Sequence, residues 1–222
     1  MNVNHDLKVL WWLPMRTGTR AVGEILAHYK FWNEIDKIYL SEQYTHCIGI
    51  PVGCENYTIV SNIRNPYSKV LSIWHLGYFS QDQITGKPII KMSFSEFLLN
   101  GLFNPFEEAC ILSQYRKPDI HIRLENLADD LKKISFIDFN DPRIKEIMGN
   151  RIYENAFSAD AYDNCNFPTK SEFELTRDPK NILLTDYKSY YKTQQELDIV
   201  WHAYENVFKE FGYQREFLCQ KT

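Results

Sequence analysis

The sequence predicts an α/β fold, a mainly parallel sheet flanked by helices, as a single domain over residues 1–222. Three observations predict it. Val9 to Leu13 is a short, continuous apolar run that passes through a turn with Pro14, Thr17 and Gly18 into a helical pattern. Tyr57 to Ile63 is a β-branched run, broken by Asn65-Pro66 and followed by a second helical pattern. Asp119 to Leu124 alternates apolar and polar residues before a third. Unbroken apolar runs suit strands buried on both faces, and strands alternating with helices suit parallel crossover units.

Taken in order, residues 1–6 (MNVNHD) have no basic segment, and the apolar run after them is far short of a signal-peptide core or a membrane span. From Arg20 to Ile35, Val22, Ile25, Leu26, Tyr29 and Trp32 fall on one helix face. Lys37 to Ser41 reads as a short second strand, and Glu42 to Glu55 as an irregular stretch holding Tyr44, His46, Cys47 and Gly53. Loops of this kind, beyond strand ends, line the ligand crevice of α/β sheets. After the 57–63 strand, Pro66 suits the first turn of a helix whose buried face is Val70, Leu71 and Trp74. Residues 78–88 read as a polar loop. Ser93 to Asn100 reads as a helix with a Ser93–Glu96 capping box, and Glu107 to Tyr115 as another helix. Leu127 to Ile134 is amphipathic, with Asp129, Asp130, Lys132 and Lys133 on a solvated face. Residues 155–182, rich in Asn, Asp, Pro and Ser, read as a long loop in which Lys170 is first an exposed surface lysine. Gln194 to Phe211 reads as one closing helix with Leu197, Val200, Trp201, Tyr204, Val207 and Phe208 on its core side.

Composition narrows the function classes. Hydrophobic content of 44% and charged content of 24% are those of a soluble globular chain. A net charge of −4 argues against nucleic-acid binding, so any anion site must gather its cations locally. The five cysteines (47, 54, 110, 165 and 219) are odd in number and contain no CxxC pair. That pattern points to reduced thiols, a cytoplasmic setting and no metal site.

The first turn carries the chemistry. A strand that runs through a turn into a helix presents backbone N–H groups and the positive end of the helix dipole, a setting for an anion. Arg16 and Arg20 flank that turn. The nucleoside-triphosphate loop GxxxxGK[ST] does not fit: with Gly18 as its second glycine, the first falls on Leu13, and the Lys and hydroxyl positions fall on Thr19 and Arg20. Downstream, Arg64 ends the second strand and Ser72 lies about two helical turns on. A guanidinium fork with a hydroxyl suits a terminal phosphate.

Pro14-Met15-Arg16-Thr17-Gly18-Thr19 and Arg64-Asn65-Pro66-Tyr67-Ser68-Lys69-Val70-Leu71-Ser72 together resemble the two nucleotide-binding segments of sulfotransferases that use 3′-phosphoadenosine 5′-phosphosulfate (PAPS). Ile122-Arg123-Leu124-Glu125-Asn126-Leu127 and the Phe211-Gly212-Tyr213 ending are similar to later stretches of that family, in the same order. The resemblance covers roughly half the chain. It implies a three-layer sandwich of the P-loop-like sulfotransferase type. The 5′-phosphosulfate would lie on Arg16, Thr17, Gly18 and Thr19, with Arg20 in the same turn, and the 3′-phosphate on Arg64 and Ser72. In the family the base is a His or Glu after the second strand; His46 is the candidate here, with Glu42 and Glu55 behind it, while His75 reads as structural. Lys170 becomes a candidate donor contact on a late loop. One departure stands out: many members have Lys directly after the loop's Pro, where this chain has Met15 and places its cation at Arg16. Arginine keeps its charge but is a poor proton donor. The implied activity is sulfuryl transfer to a hydroxyl of a small molecule or glycan, with a carbohydrate favoured and no metal, nucleic acid or membrane partner. Animal carbohydrate members of that family usually carry a membrane anchor, so a sequence without one suggests a soluble microbial or viral enzyme, or a trimmed chain. A non-catalytic nucleotide-binding or interaction protein and a nucleotide kinase are the alternatives, and the sequence says nothing of oligomeric state.

Overall fold

A computed structural model describes residues 1–31, 50–79, 92–114, 116–151 and 187–218. Among these residues it contains eight α-helices and one open four-stranded sheet. The strands are β1 (Asn2–Asn4), β2 (Val9–Trp12), β3 (Thr58–Ile63) and β4 (Ile120–Arg123), in that spatial order. β2, β3 and β4 are parallel neighbours; β1 pairs antiparallel with β2, Val3 opposite Leu10. The α/β class and mainly parallel sheet agree with the sequence. The antiparallel edge strand is an addition, set by the Asn4–Lys8 turn: Asn4 Oδ1 accepts the Leu7 N–H at 2.8 Å, and Lys8 is left-handed at φ 53°. Asx side chains stabilise such turns, and β1 is too short for its pattern to register. The strand read at Lys37 to Ser41 lies outside the described residues.

The helices are α1 (Thr19–His28), α2 (Pro66–Phe79), α3 (Phe94–Leu99), α4 (Phe106–Ser113), α5 (Leu127–Leu131), α6 (Pro142–Arg151), α7 (Gln194–Ala203) and α8 (Glu205–Phe211). α1 stops well short of the Ile35 that its periodicity suggests. Lys30, at φ 56°, donates its N–H to Ala27 O, and Phe31 donates to Leu26 O, the paired bonds of a Schellman close. The closing helix is two: Tyr204, at φ −110° and ψ 17°, is both the C-cap of α7 and the N-cap of α8. The expected Ser93–Glu96 capping box is present at the start of α3.

The chain groups into two compact units, one of Met1–Arg64 with Pro105–Ile152, the other of Asn65–Asn104 with Tyr153–Thr222, counting their described residues. In the first, Val9 and Trp11 of β2, Val60 of β3 and Ile122 of β4 share one sheet face. That face packs on Val22, Ile25 and Leu26 of α1, Leu127 and Leu131 of α5, and Ile144 and Ile147 of α6. The second unit is built from α2, α3, α7 and α8 on an aromatic core. There Tyr67 meets Tyr187, Tyr191 and Phe208, and Phe94 meets Trp74, Phe97 and Tyr191. Aromatic pairs add to what their burial contributes. No helix among the described residues is long and apolar enough to cross a membrane.

Candidate functional site

Parallel registry brings three strand ends to one edge of the first unit. Trp12 is opposite Ser61 and Ile63 is opposite Arg123, so the 13–18 turn, Arg64 and Leu124 all leave the sheet at its C-terminal edge. In open α/β sheets that edge is where ligands bind.

The turn is held from behind through its carbonyls. Pro14 O accepts both the Thr17 hydroxyl, at 2.6 Å, and the Thr17 N–H, at 3.3 Å. Arg16 O accepts from Arg64 Nη1 at 3.0 Å. Thr17 O accepts from Asn62 Nδ2 at 2.9 Å, and Asn62 Oδ1 accepts from Trp11 Nε1 at 2.7 Å. Asn62 is fully buried, and each half of its amide has the partner its chemistry requires. With carbonyls turned into the protein, Arg16 sits at φ 65° and Gly18 at φ 88°, both left-handed. Gly18 is the N-cap of α1, and the first bond of that helix runs from Val22 N–H to Gly18 O. The first-turn amides at Thr19, Arg20 and Ala21 have no acceptor inside the helix, as at any helix start. A Cβ on Gly18 would lie 2.7 Å from Leu124 Cδ1, the movable end of a side chain, so it is the φ of 88° more than space that calls for glycine here.

The expected site residues therefore divide. Arg16, Thr17, Gly18 and Arg64 are brought together, and Thr19 and Arg20 open α1 beside them. Thr17 is fully buried, and its hydroxyl and N–H both donate to Pro14 O, which closes the turn. Glu55 precedes β3, at the opposite sheet edge, where its carboxylate takes the Gly53 N–H at 3.1 Å. Six strand residues at about 3.3 Å each separate that edge from Arg64, out of hydrogen-bond reach for a base. Backbone N–H groups hold the Glu55 carboxyl below its usual range. His46, Glu42 and Lys170 lie outside the described residues.

Within the second unit, Asn65 caps α2: its Oδ1 accepts the Tyr67 N–H at 2.9 Å with Pro66 in the first helical position. Asn65, Ser68, Lys69 and Ser72 follow at helical spacing. Ser68 and Ser72 are fully buried and Lys69 is 2% exposed. Ser72 is thus part of a buried polar stripe with Ser68 and Lys69. His75 lies further along the same helix.

Two contributors were missed by sequence reasoning. Asn62 gave a usable signal, a polar amide inside a strand rich in β-branched residues. Glu107 gave none: its Oε2 accepts the Met15 N–H at 2.7 Å across 92 residues of chain. The Asp130 carboxylate, read as part of a solvated face, is instead buried and ties β4 to α5. It accepts the Arg123 N–H at 2.8 Å and Asn126 Nδ2 at 3.1 Å and pairs with Lys133. Burial alone would raise that carboxyl, but Lys133 and the two donors hold it below the usual range. Among the described residues no group of three His, Cys, Asp or Glu side chains is placed to hold a metal ion. In comparisons with known proteins, no family model, no curated protein and no solved structure matches the chain.

Proposed function

We propose that the protein transfers a sulfuryl group from PAPS to an acceptor hydroxyl, with carbohydrates as the first acceptor class to test. The observation that carries the reading is the bond from Arg64 Nη1 to Arg16 O: two segments 48 residues apart, singled out for the two ends of one nucleotide, meet at a single sheet edge. A guanidinium carries five N–H donors, so Arg64 can brace the turn and also face a phosphate. The Ser72 hydroxyl is fully buried, so Arg64 is the 3′-phosphate contact in this proposal.

In the proposed step the bond from sulfur to the leaving phosphate oxygen breaks as the acceptor oxygen bonds to sulfur. The acceptor's proton passes to His46, a role taken from the sequence alone, and adenosine 3′,5′-bisphosphate leaves. Amides at the start of α1 and the Arg16 guanidinium stabilise charge on the departing phosphate. Arg16 supplies charge without a proton.

Turnover of labelled PAPS against a panel of sugars and phenols tests the activity. Loss of turnover in His46→Ala, with donor affinity intact, checks the base. For the donor site, Arg64→Ala is expected to weaken adenosine 3′,5′-bisphosphate binding by tenfold or more, the size of a charge-assisted contact worth about 1.5–3 kcal/mol. Unchanged affinity by calorimetry, in a variant with the parent's melting temperature, would reject the site. A non-catalytic nucleotide-binding protein is the second reading, favoured by Met15 at the usual lysine position, 40% exposed. It predicts bisphosphate binding without turnover.

A further inference from the structure

Glu107 places a carboxylate on the turn proposed above to take an anion. Its Oε2 accepts the Met15 N–H at 2.7 Å. A carboxylate and an incoming phosphate or sulfate want the same kind of donor, and two anions repel one another at one turn. The contact is not what gives the turn its shape. Thr17 on Pro14 O, Arg64 on Arg16 O and Asn62 on Thr17 O fix its backbone from the protein side. Glu107 reaches the turn from α4, where it lies in the first helical turn, and it binds an N–H rather than a carbonyl. It therefore holds an N–H of the turn, three residues before the Gly18 cap, while the other contacts hold the turn's carbonyls.

We infer that Glu107 is a built-in competitor for the anion site, a latch that must leave the Met15 N–H when the 5′ end of the donor nucleotide loads. This rests on the reading of the turn as the donor's anion site. The latch sets a threshold on affinity: a ligand must bring enough contacts elsewhere, at Arg64 above all, to displace the carboxylate. A small anion such as free sulfate, with no second phosphate, is disfavoured by the same means.

The test is calorimetric titration of adenosine 3′,5′-bisphosphate into the full chain, at one low salt concentration, for the parent, Glu107→Gln and Arg64→Ala. Glu107→Gln keeps an acceptor for the Met15 N–H but removes the charge. It is expected to bind the nucleotide roughly tenfold tighter, because a charge-assisted contact is exchanged for a neutral one. The gap to the parent should shrink at high salt, as screening predicts. Should Glu107→Gln fail to fold, as judged by its melting temperature, Glu107→Ala carries the same comparison. A gain of less than threefold, or weaker binding, with the parent still binding and Arg64→Ala impaired, overturns the latch alone. If neither the parent nor any variant binds, or Arg64→Ala binds as the parent does, the anion-site reading falls and the latch falls with it.

Discussion

Asn62 uses both halves of one amide, accepting from Trp11 Nε1 and donating to Thr17 O, in a fully buried position. Replacing it with alanine leaves an indole N–H and a backbone carbonyl without that partner, at a cost of about 1–3 kcal/mol each. Asn62→Ala is expected to lower unfolding free energy in urea by about 2–4 kcal/mol, and a loss below about 1 kcal/mol would show the pair to be solvated or rewired. Arg16 is held in a left-handed conformation that costs a non-glycine residue about 1–2 kcal/mol. It persists because Arg64 and Asn62 fix the carbonyls of Arg16 and Thr17. The visible signal here was an asparagine among β-branched neighbours; what Arg64 does to Arg16 was not visible, since nothing in either segment names the other.

At the scale of the element, α1 carries two glycines with opposite expectations. Gly18 caps the helix at φ 88°, with Leu124 Cδ1 only 2.7 Å from where a Cβ would be. Gly23 lies within α1 with nothing within 4 Å of its Cβ position. Gly18→Ala is expected to destabilise by about 1–2 kcal/mol, whereas Gly23→Ala is expected to gain about 0.5–1 kcal/mol. Equal effects in thermal melts would refute this division. Element ends were read less well than element kinds. The Ser93–Glu96 box lies within four adjacent residues and was legible; α1 ends at a left-handed Lys30 that the continuing apolar period concealed. Tyr204 splits the closing helix while remaining buried, stacked on Phe103 at 6.3 Å between centroids, and so kept its place in the apolar stripe.

For the whole molecule, several carboxyls are shifted in one direction. Asp130, Asp141, Asp198, Glu55, Glu96 and Glu205 all lie below their usual ranges, held there by hydrogen bonds and ion pairs. A carboxyl depressed in the folded state binds fewer protons than it does unfolded. Its contribution is therefore complete above the unfolded pKa of about 4 and is lost as pH falls toward the folded value. Unfolding free energy should be level near neutrality and fall progressively below about pH 4–5. Buried Asp130 should matter more than the exposed groups, whose pairs are screened. Asp130→Asn is expected to lower stability at pH 7 and flatten the acid slope; an unchanged slope in urea melts across pH would refute its role.

The sequence by itself determined the α/β class, the three parallel strands and helices that follow them, and the turn at 14–18 as the place of interest. Those signals are local: apolar runs, a β-branched run, a proline, a glycine and a capping pair, each acting within a few residues. Only the tertiary structure decided that β1 extends the sheet, that Thr17 and Arg64 brace the turn, that Asp130 is buried and that Glu107 reaches Met15. Each of those outcomes depends on which face or edge another segment presents, and that is set by strand registry and packing between residues far apart in the chain.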